Sequence, residues 1–252
     1  MDDAKLSRRK AILVGGALLA AGCSGTEDKL APADNDNPDS PKASVRSSWR
    51  KIEEWLSNKA PKILRNLNVG APAAAIDAAE RDLGCQMPED WRELYLTHDG
   101  MNDTGNRGNL FYGMTFLSLS RAVRERANNN AAGVQPIPVR ASDPGVRKES
   151  MHNRSWIAFA HDGGDTLLRV DLDPGSGGTA GQVIFTDHAD DTVILLASCL
   201  SDFLRDFVCD LEGGRYYLNR EALGEGHEFL ACDQEIDIVN WHRSPRWQHL
   251  AR

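Results

Sequence analysis

The clearest pattern of apolar positions in the chain lies near residue 205. Leu200, Phe203, Leu204, Phe207, Val208 and Leu211 recur at i, i+3, i+4, i+7, i+8 and i+11, the spacing of one buried face of an α-helix. Gly213-Gly214 marks its stop. Upstream, residues 156–184 change to a shorter period. Residues 156–160 are an apolar run, and residues 161–165 (His-Asp-Gly-Gly-Asp) break it with two glycines suited to a tight hairpin turn. Residues 166–172 are apolar on both faces except for Arg169, which predicts a central strand. Residues 173–178 are a second turn cluster, and Val183 and Phe185 alternate against Ile184 in a third strand. Residues 192–196 read as an edge strand or as the lead into the helix.

The N-terminal half predicts helices. Ser47 or Ser48 caps a first one with Trp49, Ile52 and Leu56 on its apolar face and Trp55 widening it. Residues 61–69 form a short second one. Pro72 opens a third, with Ile76, Ala79 and Leu83 buried and Gly84 as its stop. Pro88 opens a fourth with Glu89 and Asp90 in its first turn, where the helix dipole favours acids. Residues 110–119 are expected to enter the sheet, a helix follows to about residue 127, and residues 128–153 read as a polar loop. Residues 213–252 hold apolar clusters without a clean period and have no predicted place. The order, helices, strands, then a helix, gives an α+β class: an antiparallel sheet with helices packed on it.

The first residues belong to a different kind of segment. Lys5, Arg8, Arg9 and Lys10 precede an apolar run at 11–21, too short to span a bilayer. Residues 19–23 (Leu-Ala-Ala-Gly-Cys) resemble a bacterial lipobox, and Ser7-Arg8-Arg9 a twin-arginine export signal. Residues 1–22 are therefore expected to be a lipoprotein signal peptide, Cys23 the lipidated residue, and residues 23–46 a disordered tether. Ser24 after Cys23 favours the outer membrane. The folded part is expected at 47–212, with 213–252 as an extension, in the periplasm, anchored to the membrane by lipid only.

The net charge of −8 disfavours nucleic acid and suits a basic protein partner. Cys85, Cys199, Cys209 and Cys232 have no CxxC spacing, so a zinc site is not expected; buried thiols and one disulfide remain equal readings. Asp171 and Asp173 fit the first two positions of a calcium loop, but Gly175, Ser176 and Gln182 stand where a third ligand, the required glycine and the bidentate glutamate belong. His98-Asp99 and His161-Asp162 lack the helical bundle of a metal phosphohydrolase. Gly175-Ser176-Gly177 lacks the helix of a nucleophile elbow. No acid, base and nucleophile converge, so no catalysis, metal or cofactor is expected. Turn chemistry and an acidic recognition face account for the carboxylates around the hairpins.

Three stretches together resemble the SMI1/KNR4 family (SUKH superfamily). They are residues 83–95 followed by Thr97-His98-Asp99-Gly100, the Trp156-led hairpins with Asp171-Leu172-Asp173-Pro174 and Gly181-Gln182-Val183, and the closing helix at 197–211. Met87 where leucine is usual, and Asp165, depart mildly from the pattern. The resemblance spans about residues 47–211. It implies a non-catalytic binding module. Bacterial members commonly neutralise toxins of contact-dependent or type VI systems, and fungal relatives regulate cell-wall synthesis. On the bacterial precedent the expectation is a periplasmic immunity lipoprotein binding a cognate, possibly basic, toxin through Asp99, Asp162, Asp165, Asp171 and Asp173. The alternative is a cell-envelope scaffold or regulator of cell-wall synthesis.

Overall fold

The computed structural model describes residues 41–102, 106, 108–129 and 135–250. The predicted signal peptide, Cys23 and most of the predicted tether lie outside them. Among the described residues no helix is long and apolar enough to cross a membrane.

Helix α1 (Pro41–Lys59) starts inside the stretch expected to be tether. Val45 is the reason: it extends the stripe of Trp49, Ile52 and Leu56 by one turn, and all four are buried. Proline at the first position then opens α2 (Pro61–Asn66). Helix α3 (Ala73–Leu83) ends as its sequence predicts, on Gly84 at φ +65°, whose N–H reaches the carbonyls of Arg81 and Glu80. Helix α4 (Glu89–Thr97) is tied back to α3 by Arg92, which reaches Asp77 at 2.7 Å and Glu80 at 2.5 Å. Both α4 and the long helix α6 (Leu200–Glu212) pack on α1.

Among the described residues six strands form one sheet, in the order β1 (Thr115–Phe116), β3 (Trp156–His161), β4 (Thr166–Asp171), β5 (Gln182–Asp187), β6 (Thr192–Ala197) and β2 (Ala141–Ser142). The centre is the antiparallel meander read from sequence: β3, β4, β5 and β6. Both faces are covered, which is why these strands are apolar on both sides. Ile157, Phe159, Leu168, Val170, Val183, Phe185 and Ile194 join the helices in the main core. Trp156, Ile184 and Val193 face the other way, beneath Val139, Val146 and Met151. Part of the expected polar loop thus forms a lid on the second face. It also supplies β2 (Ala141–Ser142), which pairs with β6 in parallel.

Residues 110–119 depart from expectation. Only β1 (Thr115–Phe116) enters the sheet, antiparallel to β3. Tyr112 at φ +51° and Gly113 at φ +78° turn the chain before it, and positive φ is incompatible with a strand. Phe111 instead inserts its ring between Trp49, Phe116, Phe159, Phe203 and Phe207, with centroids 5.1–6.3 Å away. Helix α5 (Leu119–Asn129) then runs beside β3.

The C-terminal residues belong to the same core. Strand β7 (Tyr216–Leu218) pairs with β8 (Leu230–Cys232) around α7 (Arg220–Gly224). Ile236, Ile238, Trp241 and Trp247 are buried against the elements above. Cys85, Cys199, Cys209 and Cys232 are all unpaired.

Candidate functional site

The turns of the meander set out two ends of the sheet. At one end the β3–β4 and β5–β6 turns lie side by side, joined by the His188 N–H donating to the Asp165 carbonyl at 3.0 Å. The first turn is built by Asp162, whose Oδ1 accepts from the N–H groups of Gly164 (2.7 Å) and Thr166 (3.3 Å). Gly163 at φ +91° makes the tight reversal possible. The second turn is built by Asp187, whose Oδ1 accepts from Ala189 and Asp190 at 2.9 and 3.3 Å. Its Oδ2 takes the indole N–H of Trp241 at 2.9 Å. Asp187 is buried and holds the C-terminal segment to the sheet. Asp162, Asp165 and Asp190 remain exposed with Asp191 beside them, and none has an ion-pair partner among the described residues.

The five carboxylates expected to make one recognition face are divided three ways. Asp162 and Asp165 are at this acidic end. Asp171 ends β4 and Asp173 follows it, at the other end of the strand, about 17 Å away at ~3.3 Å per residue. Asp171 is fully buried: it accepts from Gln182 Nε2 at 2.9 Å and from the Asp173 N–H at 3.1 Å. Burial pushes its pKa above the ordinary carboxylate value. Asp173 is exposed but engaged, receiving Arg147 Nη2 at 2.9 Å. Asp99 lies elsewhere again. Its Oδ1 accepts the first free N–H of α5, that of Leu119, at 2.7 Å.

The whole His98-Asp99-Gly100 motif is a structural junction. His98 bridges the Asn68 carbonyl (2.9 Å) and Glu53 (2.8 Å), with its ring 4.7 Å from that of Trp49. Gly100, at φ +71°, lies so close to the 117–118 backbone that a Cβ would sit 2.3 Å from the Ser118 nitrogen. Asp90, in the other motif, does for α6 what Asp99 does for α5: its Oδ2 accepts the Ser201 N–H at 3.3 Å. These motif residues are long-range helix caps. Sequence alone cannot show this, because cap and capped helix are up to 111 residues apart.

A second candidate region escaped the sequence reading. A cavity of about 270 Å³ opens between α6 and the C-terminal segment. It is walled by Tyr112, Phe203 and Trp247 and carries Asp206, Asp210 and Arg246. The only available signal was the acidic i, i+4, i+8 row of Asp202, Asp206 and Asp210 on α6. Among the described residues no group of three or more histidine, cysteine or acidic side chains could hold a metal ion.

The sequence profile of the SMI1 / KNR4 family (SUKH-1) matches residues 70–206. The chain belongs to this family. The matched segment holds α3 to β6 and half of α6, so the SMI1/KNR4 profile covers the sheet and leaves out α1 and the C-terminal segment. Similarity to full-length relatives extends further. "KNR4/SMI1 homolog 2" of Debaryomyces hansenii is 28% identical over 226 residues, covering 71% of this chain and 38% of that protein. "Cell wall biosynthesis/cell cycle regulator smi1" of Schizosaccharomyces pombe is 29% identical over 220 residues, 82% of this chain and 42% of that one. "Glucan synthesis regulatory protein" of Neurospora crassa is 24% identical over 247 residues, 82% of this chain and 46% of that one. The chain spans less than half the length of each. Two of these names correct the expectation of toxin immunity: they describe a regulator of cell wall biosynthesis and a regulatory protein of glucan synthesis, in line with the alternative reading.

Proposed function

We propose that the chain is a non-catalytic protein-binding module of the cell envelope that regulates cell-wall synthesis. The observation that carries this is the alignment of wall-synthesis regulators over 82% of the chain. The surface that best suits such a role is the acidic end of the sheet. Asp162, Asp165 and Asp190 are exposed on turns held rigid by their own hydrogen bonds. Unpaired carboxylates on a preorganised edge attract a basic protein surface and speed its capture. The lipobox-like residues before Cys23 support export and lipid anchoring of the module, which puts it where wall synthesis takes place.

Two measurements test the reading. A deletion strain in monoculture is expected to show shape or wall defects that the intact gene corrects. Normal walls under wall stress would overturn the reading. Capture from cell envelopes at low salt is expected to retain a basic protein that elutes as ionic strength rises. No such protein, with wall defects still present, would refute the acidic end as the binding surface.

A further inference from the structure

The cavity between α6 and the C-terminal segment has the shape and charge of a socket for one side chain. Its volume of about 270 Å³ falls just below the ~300–1,000 Å³ range of sites that bury whole ligands. Two observations define the chemistry inside. Arg246 is not free: its Nη1 and Nη2 reach Asp210 at 2.6 and 2.9 Å, a bidentate pair. Arg215 has its Nε 3.8 Å from Asp210, but its Nη1 is drawn to Asp233 and Glu235. The remaining lining charge is Asp206, exposed at the mouth, whose ion-pair contact is the exposed Arg205 at 3.8 Å and which also feels Arg246, Asp202 and Asp210. The lining therefore carries one negative charge in excess, and an incoming anion would find its only lining cation already occupied.

Tyr112 is the second observation. It is only 7% exposed and lines the cavity, and no hydrogen bond among the described residues engages its hydroxyl, which keeps some access to solvent. Burial, with Asp210 adding to it, raises its pKa, so the phenol stays neutral and can accept from a cationic donor. The rings of Tyr112, Phe203 and Trp247 line the cavity, and Arg246 already lies over that of Trp247, 5.8 Å from its centroid, which shows that the lining accepts a cation.

We propose that this cavity receives one basic side chain, a lysine or arginine, of a protein partner. The proposal rests on the reading of the chain as a protein-binding module and adds a specific anchor to it. The ammonium or guanidinium pairs with Asp206 and donates to the Tyr112 hydroxyl, while its methylene stem packs on the rings.

Cys209 is exposed and lines the same cavity, so it can report on it without any partner. The full chain is equilibrated in turn with cystamine, 2-hydroxyethyl disulfide and 3,3′-dithiodipropionate, under a fixed excess of the matching thiol. Peptide mapping by mass spectrometry quantifies the adduct at Cys209. The aminoethyl adduct is expected to exceed the hydroxyethyl adduct about five-fold, the size of one partly exposed ion pair, with the carboxyethyl adduct the least. Asp206→Asn is expected to bring the first two to near parity. Tyr112→Phe, which keeps the ring, is expected to halve the preference. Glu212→Gln removes the same charge outside the cavity and is expected to change nothing. Equal adducts in the native chain, or an equal loss in Glu212→Gln, would overturn the proposal. Neither result bears on envelope capture or on the wall phenotype, so the anchor and the broader reading fail separately.

Discussion

Glu228 accepts the backbone N–H of Lys62 at 2.6 Å and that of Ile63 at 3.3 Å, across 166 and 165 residues of chain. Helix α2 has no cap of its own, since Ala60 precedes it. A residue of the C-terminal segment therefore satisfies the first turn of a helix near the N-terminus. Asn106 holds Glu228 in place through the backbone, accepting its N–H at 2.8 Å and donating to its carbonyl at 3.1 Å. Glu228→Ala is expected to cost about 1–2 kcal/mol in chemical denaturation. Glu228→Gln, which keeps an acceptor, is expected to cost less than half of that. Truncation after Glu212 removes Tyr216, Leu230, Ile236, Ile238 and Trp241 from the core, uncovers the rings of Phe207 and Tyr112 against which Tyr216 packs, and is expected to give an insoluble chain, scored by the soluble fraction on expression.

Gly100 and Gly163 both have positive φ but differ in surroundings. At Gly100 a methyl group meets the backbone of residues 117–118 within 2.3–2.7 Å, whereas at Gly163 nothing lies within 4 Å. Gly163→Ala is expected to cost about 1 kcal/mol, the conformational penalty alone. Gly100→Ala is expected to cost more than about 3 kcal/mol, because the backbone at the α5 cap must move as well. Thermal melts of the two variants side by side check the difference.

His188 titrates unusually low. Burial, then the neighbouring Arg169, then His152 depress its pKa from 6.5 to about 4, against the pull of Asp165 and Asp191. Arg169 is 1% exposed and donates to His188 Nε2 at 3.0 Å, which the neutral ring accepts and a protonated one cannot. Above pH 6.5 both folded and unfolded chains hold a neutral ring. Between pH 6.5 and 4 only the unfolded chain takes the proton, so stability is lost as pH falls through that window. His188→Gln, an acceptor that does not titrate there, is expected to flatten this limb. The difference in Tm between pH 6.5 and 4.5 should shrink by about 2–4 °C, the equivalent of ~1 kcal/mol in a chain of this size.

Asp162→Lys with Asp165→Lys reverses the charge of the acidic end. Asp162 Oδ1 also closes its turn, so a small loss of stability, about 1 kcal/mol, is expected. Capture of an envelope partner at low salt is expected to fall at least ten-fold, with the loss in association rate rather than in dissociation. Surface plasmon resonance with the captured protein separates the two rates.

The elements were legible where one residue's neighbours in sequence are also its neighbours in space. The α6 stripe, the Gly84 stop and the central meander all appear as read, because helix and hairpin periodicity is local. The fold class followed from their order. Residues 110–119 were legible only in part: Thr115–Phe116 enter the sheet, but the positive φ of Tyr112 and Gly113, which turns the chain before them, has no local signal at a tyrosine. The acidic face failed for a similar reason. Asp162 and Asp165 precede β4 while Asp171 ends it and Asp173 follows, so nearness in sequence meant opposite ends of a strand.

By itself, then, the sequence determined the helix faces, the order of the central strands and the family to which they belong. Only the tertiary structure decided that Asp99, Asp90 and Glu228 are caps of distant helices, that residues 213–250 complete the core, and which carboxylates remain exposed. The physical reason is that a carboxylate's role depends on whether an N–H, a guanidinium or water faces it, and chain folding over a hundred residues or more makes that choice.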